Sequence, residues 1–116
     1  MHLTTDRTDG VAVVHVRETR LVYPLLAEFA GAITSLFTGD DRKVLLDLSE
    51  VTYVDSATIG CLINLSRQAT AAGCTLKLAG VQKRVETMLT MTGAQNVLEI
   101  HSDEAAAMKS FEEGRK

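Results

Sequence analysis

An α/β fold is predicted for this chain, with an N-terminal β-hairpin followed by alternating helices and strands that build a mostly parallel sheet of about five strands with about four helices. Three observations carry that expectation. Asp9-Gly10 separates two short strand-like segments at the start of the chain. The run Lys43 to Leu48 is almost continuously apolar, as a strand covered on both faces must be. Beyond it, strand-like runs alternate with segments whose apolar residues recur at three- and four-residue spacing, the order that gives parallel strands joined by helices.

Taken in order, Leu3 to Thr8 and Val11 to Val16 read as paired strands, because Asp-Gly supplies the positive φ that a tight hairpin turn needs. Arg17 to Val22 is polar and reads as irregular. Pro24 opens the first helix, where its missing N–H costs nothing, and Leu25, Leu26, Phe29, Ile33, Leu36 and Phe37 form one apolar stripe along it. Gly39-Asp40-Asp41 ends that helix, and Lys43 to Leu48 is the central strand.

A second helix runs from just after Ser56 to about Ala72, with Ile59, Leu62, Ile63 and Ser66 expected inward and Gly73 as the residue that stops it. Thr75 to Ala79 is a further strand. Gly80 leads into a third helix that buries Val85, Met88 and Leu89 and closes at Gly93. Val97 to Ile100 is the last strand, and Ser102 is the expected N-cap of a terminal helix held by Met108 and Phe111. Residues 1–116 are thus read as one domain, with a frayed tail from about Glu112 to Lys116.

Composition narrows the function classes. With 116 residues, 46% of them hydrophobic, a core can form without metals or disulfides. Twelve basic against fifteen acidic residues, a formal charge of -3, give no electrostatic footprint for nucleic acid or an anionic membrane. Cys61 and Cys74 lack a CxxC partner, and His2, His15 and His101 stand apart from one another and from any acidic cluster at local spacing, so no metal or cofactor site is expected. No apolar run approaches a membrane span and His2 to Gly10 is too polar for a signal-peptide core, which points to the cytoplasm.

The candidate site is the turn after Val54. Loops at the carboxyl ends of parallel strands are where ligands and chemistry collect in α/β sheets. There, Asp55 can cap the following helix while Ser56 presents a hydroxyl to its positive end, a place suited to carry a phosphate. By themselves the residues fit a purely capping role better than a functional one. Enzymatic use of Ser56 is not expected: the Gly-x-Ser-x-Gly elbow is absent, and no base is suggested by spacing.

The run Val51-Thr52-Tyr53-Val54-Asp55-Ser56-Ala57-Thr58-Ile59-Gly60-Cys61-Leu62 resembles the core motif of STAS domains of the anti-sigma-factor antagonist type, usually a strand, Asp-Ser-Ser-Gly-Leu-Gly and a helix. Arg67, Gly73, Leu76-Lys77-Leu78, Val85, Leu89 and Thr92-Gly93 fall where that family places similar residues, so the likeness covers about the last two-thirds of the chain.

The resemblance implies a STAS-like fold and a bacterial, non-enzymatic regulator of transcription. In such proteins the serine equivalent to Ser56 is phosphorylated by an anti-sigma factor that is itself a serine kinase. The unphosphorylated form binds that partner and frees a sigma factor, and a serine phosphatase resets the switch. Asp55, Ser56, Ala57, Thr58 and Ile59 are the implied partner-binding residues, on a monomer or weak homodimer.

Two departures from the family pattern stand out. Ala57-Thr58 replaces the usual Ser-Gly, which makes Thr58 either an alternative acceptor or an early-turn residue bonding back to the backbone. The segment Arg17 to Leu21 lacks the small, acidic pattern that often contributes to the partner face. The alternative function is a non-switching STAS subunit of a lipid-transport complex or a stress-signalling scaffold.

Overall fold

The computed structural model describes residues 1–113. Strands β1 (Leu3–Thr8) and β2 (Val11–Val16) form the expected hairpin, turned by Asp9 at φ 53° and Gly10 at φ 80°. The main sheet has the order β1-β2-β4-β6-β7, where β4 is Lys43–Asp47, β6 is Thr75–Ala79 and β7 is Glu99–His101. Only the β1–β2 pair is antiparallel; β2–β4, β4–β6 and β6–β7 are parallel.

Helices α1 (Leu26–Thr38), α2 (Ser56–Ala71) and α3 (Lys83–Met91) pack on one face of this sheet, over Ala12, Val14, Val44, Leu46, Leu76 and Leu78. The terminal helix α4 (Glu104–Glu113) covers the other face through Ala107, Met108 and Phe111, set against Val11, Val13, Leu45 and Ala79. Neighbouring residues of β4 therefore enter opposite cores: Val44 and Leu46 point one way and Leu45 the other. That is why Lys43 to Leu48 had to be apolar at nearly every position.

Several local expectations give way to longer-range contacts. Arg17 to Val22 is not wholly irregular: β3 (Arg20–Leu21) pairs in parallel with β5 (Tyr53–Val54) as a separate two-stranded ladder. A 3-10 turn over Tyr23–Leu25 takes up Pro24 before α1 begins. On α2 the buried stripe is Thr58, Ile59, Leu62, Leu65 and Ala69, so Ile63 and Ser66 lie at its margin. The last strand starts at Glu99 rather than Val97, because the Val97 and Leu98 N–H groups donate to the Ala94 carbonyl of a 3-10 turn at 3.0 and 2.9 Å. Ser102 does not cap α4; the Asp103 carboxylate does, accepting the Ala106 N–H at 2.8 Å. Glu112 and Glu113 belong to α4 rather than to a frayed tail, and 114–116 lie outside the described residues.

With a single helix on its side, the α4 face of the sheet keeps polar residues at its margin, and the strands bring them together. His15 lies opposite Asp47, and Lys77 opposite Glu99. The histidines expected to stand apart are thus paired with carboxylates: His15 with Asp6 and Asp47, His101 with Glu99. Lys77 is buried, its ammonium 4.5 Å from the centre of the Phe111 ring and 2.9 Å from Glu99 Oε2. Burial pushes the Glu99 carboxyl up, but hydrogen bonds from His101, Lys77 and Ser110 outweigh it and hold the pKa at about 2.

A carboxylate depressed in the folded state stabilises the fold above its unfolded pKa, here 4.5, and loses that contribution as pH falls towards about 2. Glu99→Gln should therefore lower stability near neutral pH, and the gap from wild type should close as the pH is taken from 4.5 down to about 2. Because the Glu99 side chain is half exposed, solvent screening limits the neutral-pH difference to about 1 kcal/mol. Urea unfolding at a series of pH values measures it.

Candidate functional site

The site is assembled where β5 meets α2. Asp55 is the N-cap of α2: its Oδ1 accepts the Thr58 N–H at 2.9 Å, satisfying one of the free donors of the first helical turn. Its Oδ2 accepts the Tyr23 N–H at 2.9 Å, so the same carboxylate joins the start of α2 to the turn before α1. The Thr58 hydroxyl lies 2.6 Å from Asp55 Oδ1 and 2.7 Å from the Leu21 carbonyl oxygen, and shares its one proton between the two acceptors. The Thr58 hydroxyl first, then the Tyr23 and Thr58 N–H groups, outweigh partial desolvation and hold the Asp55 carboxyl below the usual aspartate range.

Thr58 is completely buried. It does not offer a hydroxyl to solvent, and an acceptor role for it is incompatible with this packing. Of the five residues expected at a partner interface, Ser56 and Ala57 are exposed, Asp55 is half-buried and engaged, and Thr58 and Ile59 belong largely to the interior. Ile59 still reaches one edge of an apolar groove of about 190 Å³, lined by Ser56, Ile59, Met88, Met91 and Thr92. Met91 is 80% exposed beside it. Nothing in the sequence around Ser56 marks α3 as its neighbour. Met91 carried the signal, an apolar residue off the stripe of Val85 and Leu89.

On the other side of the turn, Tyr23 is 72% exposed and the Arg20 guanidinium stands 4.5 Å over the Tyr53 ring. This pair follows directly from the parallel register of β3 and β5, which sets Arg20 opposite Tyr53. The Thr52 N–H and hydroxyl both reach the Thr19 carbonyl, at 2.8 and 3.0 Å, and fix the ladder from its other end. Arg17 to Leu21 therefore lies against the motif it was expected to accompany, with an arginine and aromatic surface in place of a small, acidic one.

Ser56 itself is the first residue of α2, exposed, and its hydroxyl makes no hydrogen bond among the described residues. The cap consumes the Thr58 N–H and leaves the Ser56 and Ala57 N–H groups at the positive end of a 16-residue helix. Chemically the arrangement offers an exposed alcohol, hydrogen-bonded to no described residue, in a field that favours an anion.

The two-core α/β sandwich, with one antiparallel hairpin and an otherwise parallel sheet, defines a class of small α/β domains with an exposed serine on a capped turn. The STAS domain family model matches residues 2–107, and the chain belongs to that family. A protein of Thermotoga neapolitana, named as an anti-sigma factor antagonist homologue, is 27% identical over 71 residues, covering 61% of this chain and 63% of that relative's length. Among solved structures, an anti-sigma factor antagonist from Mycobacterium paratuberculosis superimposes with a TM-score of 0.84 at 16% identity, covering 94% of this chain and 92% of the other. The Bacillus cell fate determinant SpoIIAA in its phosphorylated form gives a TM-score of 0.70 at 12% identity, over 95% of this chain and 99% of that one. These structural likenesses establish a shared STAS fold.

Removing the cap should cost stability without touching Ser56. Asp55→Ala is expected to destabilise the fold by about 1–2 kcal/mol, with Asp55→Asn losing less because an amide oxygen can still accept the Thr58 N–H. Thr58→Val leaves the Leu21 carbonyl without its buried donor and should cost roughly 1–3 kcal/mol, whereas Thr58→Ser keeps the hydroxyl and should cost less. Denaturant midpoints of the four variants test the ranking.

Proposed function

We propose that this protein is an anti-sigma-factor antagonist whose binding to a serine-kinase anti-sigma factor is switched off by phosphorylation of Ser56, with a serine phosphatase restoring the binding form. The observation that carries the reading is the free, exposed Ser56 hydroxyl at the N-terminus of α2, beside a neighbour that does all the capping. A phosphoryl group there adds about -1.5 to -2 charge, which the helix end tolerates and a docked surface complementary to the neutral serine does not. Family membership and the name of the Thermotoga relative support the antagonist role, and the likeness to SpoIIAA in its phosphorylated form supports a fold able to carry the phosphate.

In this reading the partner sits across the turn, touching Ser56 and Ala57 and reaching the Met91 groove on one side and the Tyr23 and Arg20 surface on the other. The switch is a local change of charge on a surface that keeps its shape, because among the described residues the Ser56 hydroxyl makes no hydrogen bond that modification would break. Specificity between the two states then comes from penalising one of them.

The test is affinity isolation from the native cell extract with wild-type, Ser56→Ala and Ser56→Asp chains, followed by mass spectrometry of the bound proteins and of the Ser56 peptide. Wild type and Ser56→Ala should retain an anti-sigma factor with a kinase fold, and a fraction of cellular wild type should carry phosphate on Ser56. Ser56→Asp should bind roughly 100-fold more weakly, the scale of a few kcal/mol of like-charge juxtaposition. Equal retention by all three variants, or stable co-elution with a transporter ATPase or a large scaffold, overturns the switch.

A further inference from the structure

A second constellation lies on the α4 side of the sheet, at the same carboxyl-terminal edge of the strands but outside the Ser56 surface. His15 near the end of β2, Asp47 at the end of β4 and Glu104 at the start of α4 each offer one donor atom, and these atoms lie within 4.8 Å of one another. His15 Nδ1 is 2.7 Å from Asp47 Oδ2, and the opposite ring nitrogen, Nε2, is 3.0 Å from Asp6 Oδ2 on β1.

We propose that His15, Asp47 and Glu104 form a binding site for a divalent first-row transition-metal ion of the zinc class, with Asp6 orienting His15 from behind.

Four features support a metal site over a set of incidental surface carboxylates. The donors are one imidazole and two carboxylates, a mixed nitrogen and oxygen set that suits zinc-class ions better than magnesium or calcium. They come from three different elements, and the histidine and Asp47 are mostly buried, with side-chain exposures of 15% and 17%. The histidine is held on its far nitrogen by a carboxylate, the usual arrangement behind a metal-ligating imidazole. Asp47 is likewise fixed: its Oδ1 accepts the Ser49 N–H at 3.0 Å, and a Cβ added at Gly80 would stand 3.3 Å from that oxygen, so the glycine leaves the carboxylate its room.

Charge balance points the same way. Asp6, Asp47 and Glu104 bring three carboxylates to one imidazole, and among the described residues none of them pairs with a lysine or arginine. Arg17, the nearby cation, is committed to Glu50 at 2.5 Å. Bonds of about 2.0–2.2 Å place tetrahedral donors roughly 3.3–3.6 Å apart, so the Asp47 contact opens by several tenths of an ångström and the exposed Glu104 closes inwards. Three protein donors leave a coordination position to water; the ion replaces the proton that His15 Nδ1 shares with Asp47, and that proton is released to solvent while Nε2–H stays on Asp6.

The test is calorimetric titration of the full chain with Zn²⁺ alone in a non-chelating buffer, alongside NMR of the histidine ring signals. One ion per chain should bind, with the His15 signals moving and those of His2 and His101 staying in place. Glu104→Ala, which removes an exposed side chain and should keep the native circular dichroism, ought to weaken binding at least tenfold, and His15→Gln to abolish it. Asp6→Asn, altering only the outer partner, should weaken it about 10-fold to 100-fold. No saturable binding by wild type overturns the proposal, as does binding unchanged in Glu104→Ala and His15→Gln or reported by His2 or His101 instead.

Discussion

The architecture around Ser56 depends on one carboxylate. Asp55 accepts from the Thr58 backbone with one oxygen and from the Tyr23 backbone with the other, while the Thr58 hydroxyl bridges back to Leu21. Two stretches far apart in sequence are therefore tied at a single point: β3 with the turn before α1, and β5 with the start of α2. The two-residue ladder of β3 and β5 would be marginal alone, since so short a pair buries little and fixes few hydrogen bonds. Anchored by Asp55 and Thr58 it becomes a rigid rim, and Arg20, Tyr53 and Tyr23 are displayed from it.

The rest of the fold explains why such an anchor is needed at this edge. Three helices cover one face of the sheet and a single ten-residue helix covers the other, so the carboxyl-terminal margin of the strands is only partly roofed. Polar residues end the strands there, and the parallel register brings them into contact. Lys77 shows how burial is offset: its ammonium is enclosed by Phe111, Ser110 and Glu99 instead of water. His15 meets the same demand with Asp6 and Asp47, one from the edge strand and one from the centre.

Much of this was legible because it is local. The Asp9-Gly10 turn, the apolar stripe of α1, the doubly covered β4 and the start of α2 each follow from residues within a few positions of one another, where turn chemistry and periodicity act. What escaped detection is set by distant partners. Nothing near Arg20 announces Tyr53 as its neighbour, and a two-residue strand is too short to leave a pattern of alternation. The Asp6–His15–Asp47 contact joins positions 9 and 32 residues apart, and only the strand register reveals it. Ser102 and Asp103 are both good caps, and the choice fell to the residue whose carboxylate reaches the Ala106 N–H.

The substitution of Ala57-Thr58 for the more usual Ser-Gly separates two tasks that hydroxyls could share at such a turn. Thr58 is buried and structural: its hydroxyl satisfies a carbonyl that water does not reach, and its N–H completes the cap. Ala57, exposed and without a polar side chain, offers no second hydroxyl to compete with Ser56 and only its backbone N–H to a charge placed there. Ser56 is left as the exposed hydroxyl of the first turn, with no internal hydrogen bond among the described residues to lose. A charge added at that position would act on the surface alone, because the cap that sustains the helix is made entirely by its neighbours. A glycine at position 58 could not supply this division, having neither the hydroxyl that holds Leu21 nor the side chain that fills the core beneath the turn.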